Sequence, residues 1–205
     1  MARDRSSIVK QSRREGYALH PKAHKALIKR QGPPGQQGGR NQRGKSSQYS
    51  LQLREKQKVK RLYGLLERQF AKLMDEAVRS NSPSGSQLLE FLERRLDNVV
   101  YRAGFASSRR GARQLVTHGH FMYNGRRVDI PSLRVVAGDS IILRDHSKAN
   151  DYFKHLDELS PAPAAIPAWL KINRSKLQIS VTGVPLRDDS EPDIKEQLIV
   201  EYYSR

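Results

Sequence analysis

The stretch ASSRRGARQLVTHGHFMYNGRRVDIP, residues 106–131, carries five arginines: Arg109, Arg110, Arg113, Arg126 and Arg127. A guanidinium is planar, permanently charged and able to grip an oxyanion through two parallel N–H donors. His118, His120 and Tyr123 lie between the two arginine groups. Those side chains can stack on a base or hydrogen-bond a sugar as readily as they can pack internally. The chemistry this set supports is anion binding, and phosphate is the anion it fits.

Two elements must hold these arginines. Ser107 or Ser108 caps a short helix in which Ala112, Leu115 and Val116 face inward and which Gly119 ends. Arg109, Arg110 and Arg113 then sit near its N-terminal end, where unsatisfied backbone N–H groups add to the positive field. Asn124-Gly125 between strand-like runs predicts a two-residue hairpin turn of type I′, and Arg126 and Arg127 leave that turn directly. Packing helix against hairpin is expected to leave all five arginines on one side of the junction.

Upstream, QLLEFLERRLDNVVYRAGF reads as one helix over 86–103, with a stripe of Leu88, Leu89, Leu92, Leu96, Val99 and Val100, stopped by Gly104. Before it, residues 46–79 read as helix. Val59, Leu62, Tyr63, Leu66, Phe70, Leu73, Met74 and Ala77 form one stripe, Ser46 or Ser47 is the cap, and Gly64 predicts a bend or two abutting helices. The other face begins LREKQKVKR, with Arg54, Lys56, Lys58, Lys60 and Arg61, and Glu55 is the one acid among residues 51–61. A merely solvated face would mix signs, so a phosphate-contacting face is favoured. Later in the chain, GDSIILR (138–144) and KLQISV (176–181) predict strands, and Asp151 to Leu159 a short helix. SPAPAAIPAWL is a Pro-rich connection, and LIVEYYS near the end is apolar enough to dock. Phe70, Leu92, Leu96 and Leu115 are expected in the core.

Charge is segregated along the chain. The net charge is +17 at pH 7 and the pI about 10.4. Residues 1–61 hold 17 Lys+Arg against 3 Asp+Glu, whereas residues 145–205 hold 8 against 10. Such a balance points to a polyanion, nucleic acid before an anionic membrane surface. Residues 1–45, with RQGPPGQQGGRNQRGK, bury too little apolar surface to offset ordering entropy and read as an extended basic arm, either a disordered tail or one that orders against phosphates. Its Arg3, Arg5, Arg13 and Arg14 are candidate RNA contacts, as are Lys45, Arg54, Lys56 and Lys58. With no cysteine, disulfides, cysteine–zinc sites and thiol catalysis are excluded. His20 and His24 have an i, i+4 spacing but no further ligands, so neither a metal nor a cofactor is expected. No apolar run reaches the roughly 18 residues of a spanning helix, and the N-terminus has no apolar signal-peptide centre. A soluble, intracellular chain without a membrane partner is expected.

The segment LERRLDNVVYRAGFASSRRGARQLVTHGHFMYNGRRVDIPSLRVVAGDSI, residues 92–141, resembles the RNA-binding module of the ribosomal protein S-four family. LREKQKVKRLYGLLERQF (53–70) resembles that family's helical domain, LIVEYYSR (198–205) its C-terminus, and KRQGPPGQQGGR its PGQ-containing element. The likeness runs along nearly the whole chain, and the missing cysteines mark the zinc-less form. It implies an α+β fold of three parts: a basic N-terminal arm (1–45), a helical domain (46–90 with 198–205), and an inserted module with a mainly antiparallel sheet (91–197). It further implies a cytoplasmic constituent of the small ribosomal subunit that binds the 5′ domain of 16S rRNA and nucleates assembly. Such a protein lies beside proteins S-five and S-three where mRNA enters, contributes with S-five to translational accuracy, and in some bacteria represses its own operon.

Two other functions, an RNA-modifying enzyme and a DNA-binding regulator, fit the sequence less well. Pseudouridine synthases and tyrosyl-tRNA synthetases carry a similar module beside a catalytic domain, but this chain has no room for one. Asp97 sits in RLDN, where a salt bridge to Arg94 or Arg95 or a local hydrogen bond is the plain reading, and Asp129 and Asp139 lie at a strand end and a turn. No enzymatic activity is expected. A DNA-binding helix-turn-helix would need a clean recognition helix, which the hairpin directly after 108–118 does not leave.

Overall fold

The computed structural model describes residues 4, 6–30, 32–35, 47–163 and 165–204. The chain divides into two compact units, Met1–Leu88 with Asp193–Arg205, and Leu89–Pro192.

The first unit opens with α1 (Ile8–Glu15), stopped by Gly16 in the left-handed region at φ 64°. A single 3₁₀ turn, Pro21–Ala23, leads into α2 (His24–Lys29). This part of the arm is therefore helical and packed, not an extended tail. The reason is polar. Ser12 is buried, donating its hydroxyl to the Ile8 carbonyl (2.8 Å) and accepting from the Leu19 amide (3.2 Å). Buried groups satisfied in this way cost little, and a count of apolar residues does not register them. Helix α3 (Gln48–Leu62) is capped by the Ser47 hydroxyl, which accepts from the Ser50 amide. Gly64, at φ 65°, breaks the long apolar stripe, and α4 (Glu67–Val78) follows as an abutting helix. Val59, Leu62, Phe70, Met74 and Ala77 are all buried there. Each large side chain contributes roughly 1.5–3 kcal/mol on leaving water.

Helix α5 (Ser84–Glu93) spans the point of division. The single helix expected over 86–103 is instead two, because α6 (Leu96–Arg102) starts afresh after an extended Arg95. The returning chain competes for the backbone here. The Leu96 amide donates to the Leu133 carbonyl (2.8 Å), the Val135 amide donates to the Arg94 carbonyl (2.9 Å), and Arg95 bridges Arg134. No glycine or proline marks this break in the sequence.

Helix α7 (Arg109–Thr117) is capped by the Ser108 hydroxyl, which accepts from the Gly111 amide, and it packs on α6. Strands β1 (Phe121–Tyr123) and β2 (Arg126–Val128) enclose Asn124 and Gly125, both at positive φ (47° and 80°), as a type I′ turn requires. Then come β3 (Ser140–Leu143) and three single turns, α8 (Asp145–Lys148), α9 (Asp151–Lys154) and α10 (Leu156–Leu159). Strand β4 (Leu170–Asn173), hidden behind the Pro-rich connection in the sequence, pairs with β5 (Gln178–Val181). The sheet is antiparallel with order β2-β1-β3-β5-β4, so the architecture is α+β. Phe121, Ile141, Leu143 and Ile179 fill its inner face. Phe105 stacks on Phe121, and Phe153 meets that ring edge-on at 6.4 Å.

The chain closes in the first unit with α11 (Glu196–Tyr203), which lies on α3. Ile199 is buried, the Gln52 amide donates to Glu201 (2.8 Å), and the Tyr49 and Tyr202 rings meet at 5.8 Å.

Candidate nucleic-acid interface

In the second unit α6 presents Asp97 and Asn98 to the arginines of α7. Asp97 is buried and receives Arg95 (3.0 Å) and Arg113 (2.7 Å), so the plain salt-bridge reading of Asp97 holds, with Arg95 as the partner. Arg109 donates through Nε to Asn98 Oδ1 (2.9 Å), pairs with Glu191 (3.0 Å) and lies over the Tyr101 ring. Asn98 in turn donates to Glu93, which also binds Arg102 at 2.8 Å. Arg109 and Arg113 are thus anchored guanidiniums, 12% and 22% exposed at the side chain, while Arg110 faces solvent. Anchoring lowers the side-chain entropy lost when such a group meets a second anion.

The hairpin forms a separate group. Arg126 and Arg127 are exposed, and the Arg127 guanidinium lies against Gly119, where an added Cβ would come within 2.7 Å of its Nε. Gly119 follows the C-terminal end of α7 and Arg109 opens it, so the five arginines fall into two groups and not one cluster. The turn is held by Asp139, which accepts from Tyr123 Oη (2.5 Å), Asn124 Nδ2 (2.8 Å) and the Val136 amide (2.6 Å). Burial alone would raise the Asp139 carboxyl, but these three donors hold it below the usual carboxylate range. Burial, and then the bond to that carboxylate, push the Tyr123 phenol up to about 12. The Tyr123 hydroxyl is thus committed as a donor to Asp139, and its ring remains partly open to solvent. His118 is exposed and its ring lies 5.9 Å from that of His120. His120 contacts Ser147 through Nδ1 (3.0 Å) and meets Phe153 edge-on. Burial, with His118 and Arg144 nearby, pushes its pKa down, which favours the neutral ring.

In the first unit the cations expected to face phosphate mostly meet carboxylates of their own chain. Arg54 and Arg61 both bind the Glu15 carboxylate on α1. Burial raises the pKa of that carboxyl against the pull of the two arginines. Lys56 is buried, paired with Glu67 (2.7 Å) and set 4.5 Å from the Tyr202 ring centroid. Lys58 binds Glu55 (2.7 Å) and the Asp193 carbonyl (2.8 Å). The basic face of α3 thus carries a layer of ion pairs with Glu15, Glu55 and Glu67. Arg13 donates to the Gly32 and Pro33 carbonyls and so shapes the GPPG turn, whereas Arg14 faces outward. Arg3, Arg5 and Lys45 lie outside the described residues. His20 caps the 3₁₀ turn, its Nδ1 accepting from the Lys22 amide. Among the described residues no group of three or more His, Cys, Asp or Glu could hold a metal ion, and no helix is long and apolar enough to cross a membrane. Sequence reasoning missed Glu15 as an anchor, although its i+1 neighbour Gly16 marks the helix end that places it.

Glu67 gives this layer a pH signature. Burial opposes its ionisation, but donors from Lys56, Lys60 and Tyr203 hold its pKa at about 2. A depressed acid stabilises the fold above its unfolded pKa, and that contribution is lost as pH falls towards the folded value. The wild-type chain is expected to lose thermal stability between about pH 4.5 and 2 in part through this group, and Glu67→Gln to flatten that part of the profile. Parallel thermal melts across that range check it, and identical slopes for both chains would remove Glu67 from the acid response.

Comparisons with known proteins agree along the whole chain. Residues 3–93 match the family described as ribosomal protein S4/S9 N-terminal domain, and residues 94–141 match the S4 domain. The chain is 51% identical to the small ribosomal subunit protein uS4 of Chlorobium luteolum over the full length of both. It is 48% identical to that of a Roseiflexus species and 49% identical to that of Chlorobaculum tepidum, again over both full lengths.

Proposed function

This chain belongs to the uS4 family of small-ribosomal-subunit proteins, and from that premise we propose what it does on RNA. Its role is that of a structural constituent of the small subunit that binds rRNA, not that of an enzyme. In finer terms, it is a primary binder of the 5′ domain of 16S rRNA, it nucleates subunit assembly in the cytoplasm, and it lies beside proteins S-five and S-three where mRNA enters. With S-five it contributes to translational accuracy. Residues 91–197 act as the RNA-binding module, residues 46–90 with 198–205 as the helical domain, and residues 1–45 as the arm.

The observation that carries this reading is the full-length identity with uS4 proteins at about half of all positions. The geometry supports it through the exposed Arg110, Arg126, Arg127 and His118 on the second unit. These suit a partner whose base edges are hidden in a deep groove and whose backbone is read by shape.

Filter binding of the full chain to the 5′ domain of small-subunit rRNA tests the proposal, with duplex DNA and an unrelated folded RNA as competitors. With ~8 phosphate contacts, affinity should fall by about 10³- to 10⁵-fold between roughly 50 and 200 mM salt. Binding that resists both competitors supports a primary rRNA binder. Equal affinity for every polyanion would overturn it.

A further inference from the structure

Beside the β1–β2 hairpin the second unit has an open concavity of about 560 Å³, whose lining includes Tyr123, Arg126, Arg127, Asp129, Ile130 and Leu133. That volume falls within the roughly 300–1,000 Å³ typical of small-ligand sites. Its wall is unlike a plain phosphate-binding surface. Ile130 is 53% exposed and Leu133 only half-buried, which leaves an apolar strip open to water. The Tyr123 ring is fixed in place by the bond from its hydroxyl to Asp139. Asp129 is exposed and has no hydrogen-bond or ion-pair partner among the described residues, although Arg126 and Arg127 lie only three and two positions before it.

An unpaired carboxylate repels phosphate. On a surface that grips an RNA backbone it weakens binding unless it recognises a donor. A carboxylate has two oxygens side by side and accepts best from two parallel donors. Guanine alone among the four RNA bases offers that pair, the ring N1–H next to the 2-amino group. Adenine and cytosine set an amino donor beside a ring-nitrogen acceptor, and the N3–H of uracil lies between two carbonyls. Proteins read RNA sequence chiefly on unstacked bases, which they stack on aromatic or guanidinium planes and hydrogen-bond along the Watson–Crick edge.

We propose that this concavity takes one unstacked guanine of the bound RNA: Asp129 accepts from its N1–H and 2-amino group, Tyr123, Ile130 and Leu133 cover its ring, and Arg126 or Arg127 meets the adjoining phosphate. The site rests on the rRNA-binding reading and adds a base-reading element to surfaces that otherwise grip backbone. An arginine-only surface would bind every nucleotide alike. Here discrimination comes from a single carboxylate, and its removal should erase the preference without abolishing attraction to phosphate.

The test uses the full chain with methyl-labelled isoleucine and leucine, titrated separately with GMP, IMP, UMP and inorganic phosphate. GMP should shift the Ile130 and Leu133 methyls and bind about fivefold to tenfold more tightly than UMP, the low end of what a bidentate base contact supplies. IMP, which lacks the 2-amino donor, should lose most of that margin, and phosphate should leave both methyls unmoved. Asp129→Asn should bring GMP down to the level of UMP. Asp129→Ala should do the same, and both variants should fold, since the side chain has no partner to lose. Equal shifts from all nucleotides, or a GMP preference that survives both substitutions, overturns the proposal. The 5′-domain filter assay runs alongside. Tight rRNA binding with no GMP response at Ile130 sinks the guanine site alone, whereas loss of both sinks the rRNA reading with it.

Discussion

Neutralising Arg126 and Arg127 together is expected to weaken binding to 5′-domain rRNA by on the order of 50-fold near 0.1 M salt and to reduce the slope of log affinity against log salt by about 2. Each guanidinium that meets a phosphate releases roughly one counterion, so two lost contacts subtract about two units of slope. Both side chains are exposed at the hairpin, whose shape is set by Asp139, Tyr123 and Asn124 and not by the arginines. Arg126→Ala with Arg127→Ala should therefore leave the fold intact. The paired lysines, Arg126→Lys with Arg127→Lys, should restore most of the slope, because a lysine still neutralises a phosphate although it cannot grip one through two donors. Lys56 gives the contrast. It is buried against Glu67 and Tyr202, so Lys56→Ala should lower stability while leaving the salt slope unchanged. Filter binding at several salt concentrations reads all three chains. A slope that ignores the double substitution would remove the hairpin from the RNA-contacting surface.

Asp97→Ala is expected to destabilise the second unit by about 3–5 kcal/mol. The Asp97 side chain is 5% exposed and holds Arg95, itself 7% exposed, together with Arg113. Removing the acid strands at least one guanidinium in surroundings that water hardly reaches, which is why breaking a buried pair costs more than the pair itself contributes. Asp97→Asn keeps the volume and one acceptor but not the charge, and should fall between wild type and alanine. Chemical denaturation, followed through the lone Trp169 in the buried part of this unit, measures the loss. A change below about 0.5 kcal/mol for Asp97→Ala, the range of ordinary surface substitutions, would mean that Arg95 and Arg113 find other partners. The same substitution should also weaken rRNA binding modestly, because Arg113 would lose its anchor on α6.

Much of the architecture was legible from short stretches. Ser47 and Ser108 cap where a hydroxyl before an apolar-periodic run should, Gly64, Gly104 and Gly119 adopt left-handed turns that end helices, and Asn124-Gly125 makes the tight hairpin turn. Each depends on bonds spanning a few residues, which a sequence displays directly. The break at Arg95 was not legible, because its cause is the return of residues 131–135 against that backbone. Strand β4 was hidden for a related reason: its pairing partner, β5, and not its own composition, makes it a strand.

The sequence by itself determined the sign of the surface, the helical and strand periods, the hairpin that displays Arg126 and Arg127, and the likeness to one ribosomal family. Only the tertiary structure decided which charges meet a partner within their own chain. Arg54 is neutralised by a glutamate 39 residues earlier and Arg109 by one 82 residues later, while Asp129, two positions past an arginine, pairs with nothing among the described residues. Charge along a chain is a local property, but whether a charge is paired depends on what folding brings within about 4 Å of it, the reach of a direct ion-pair contact.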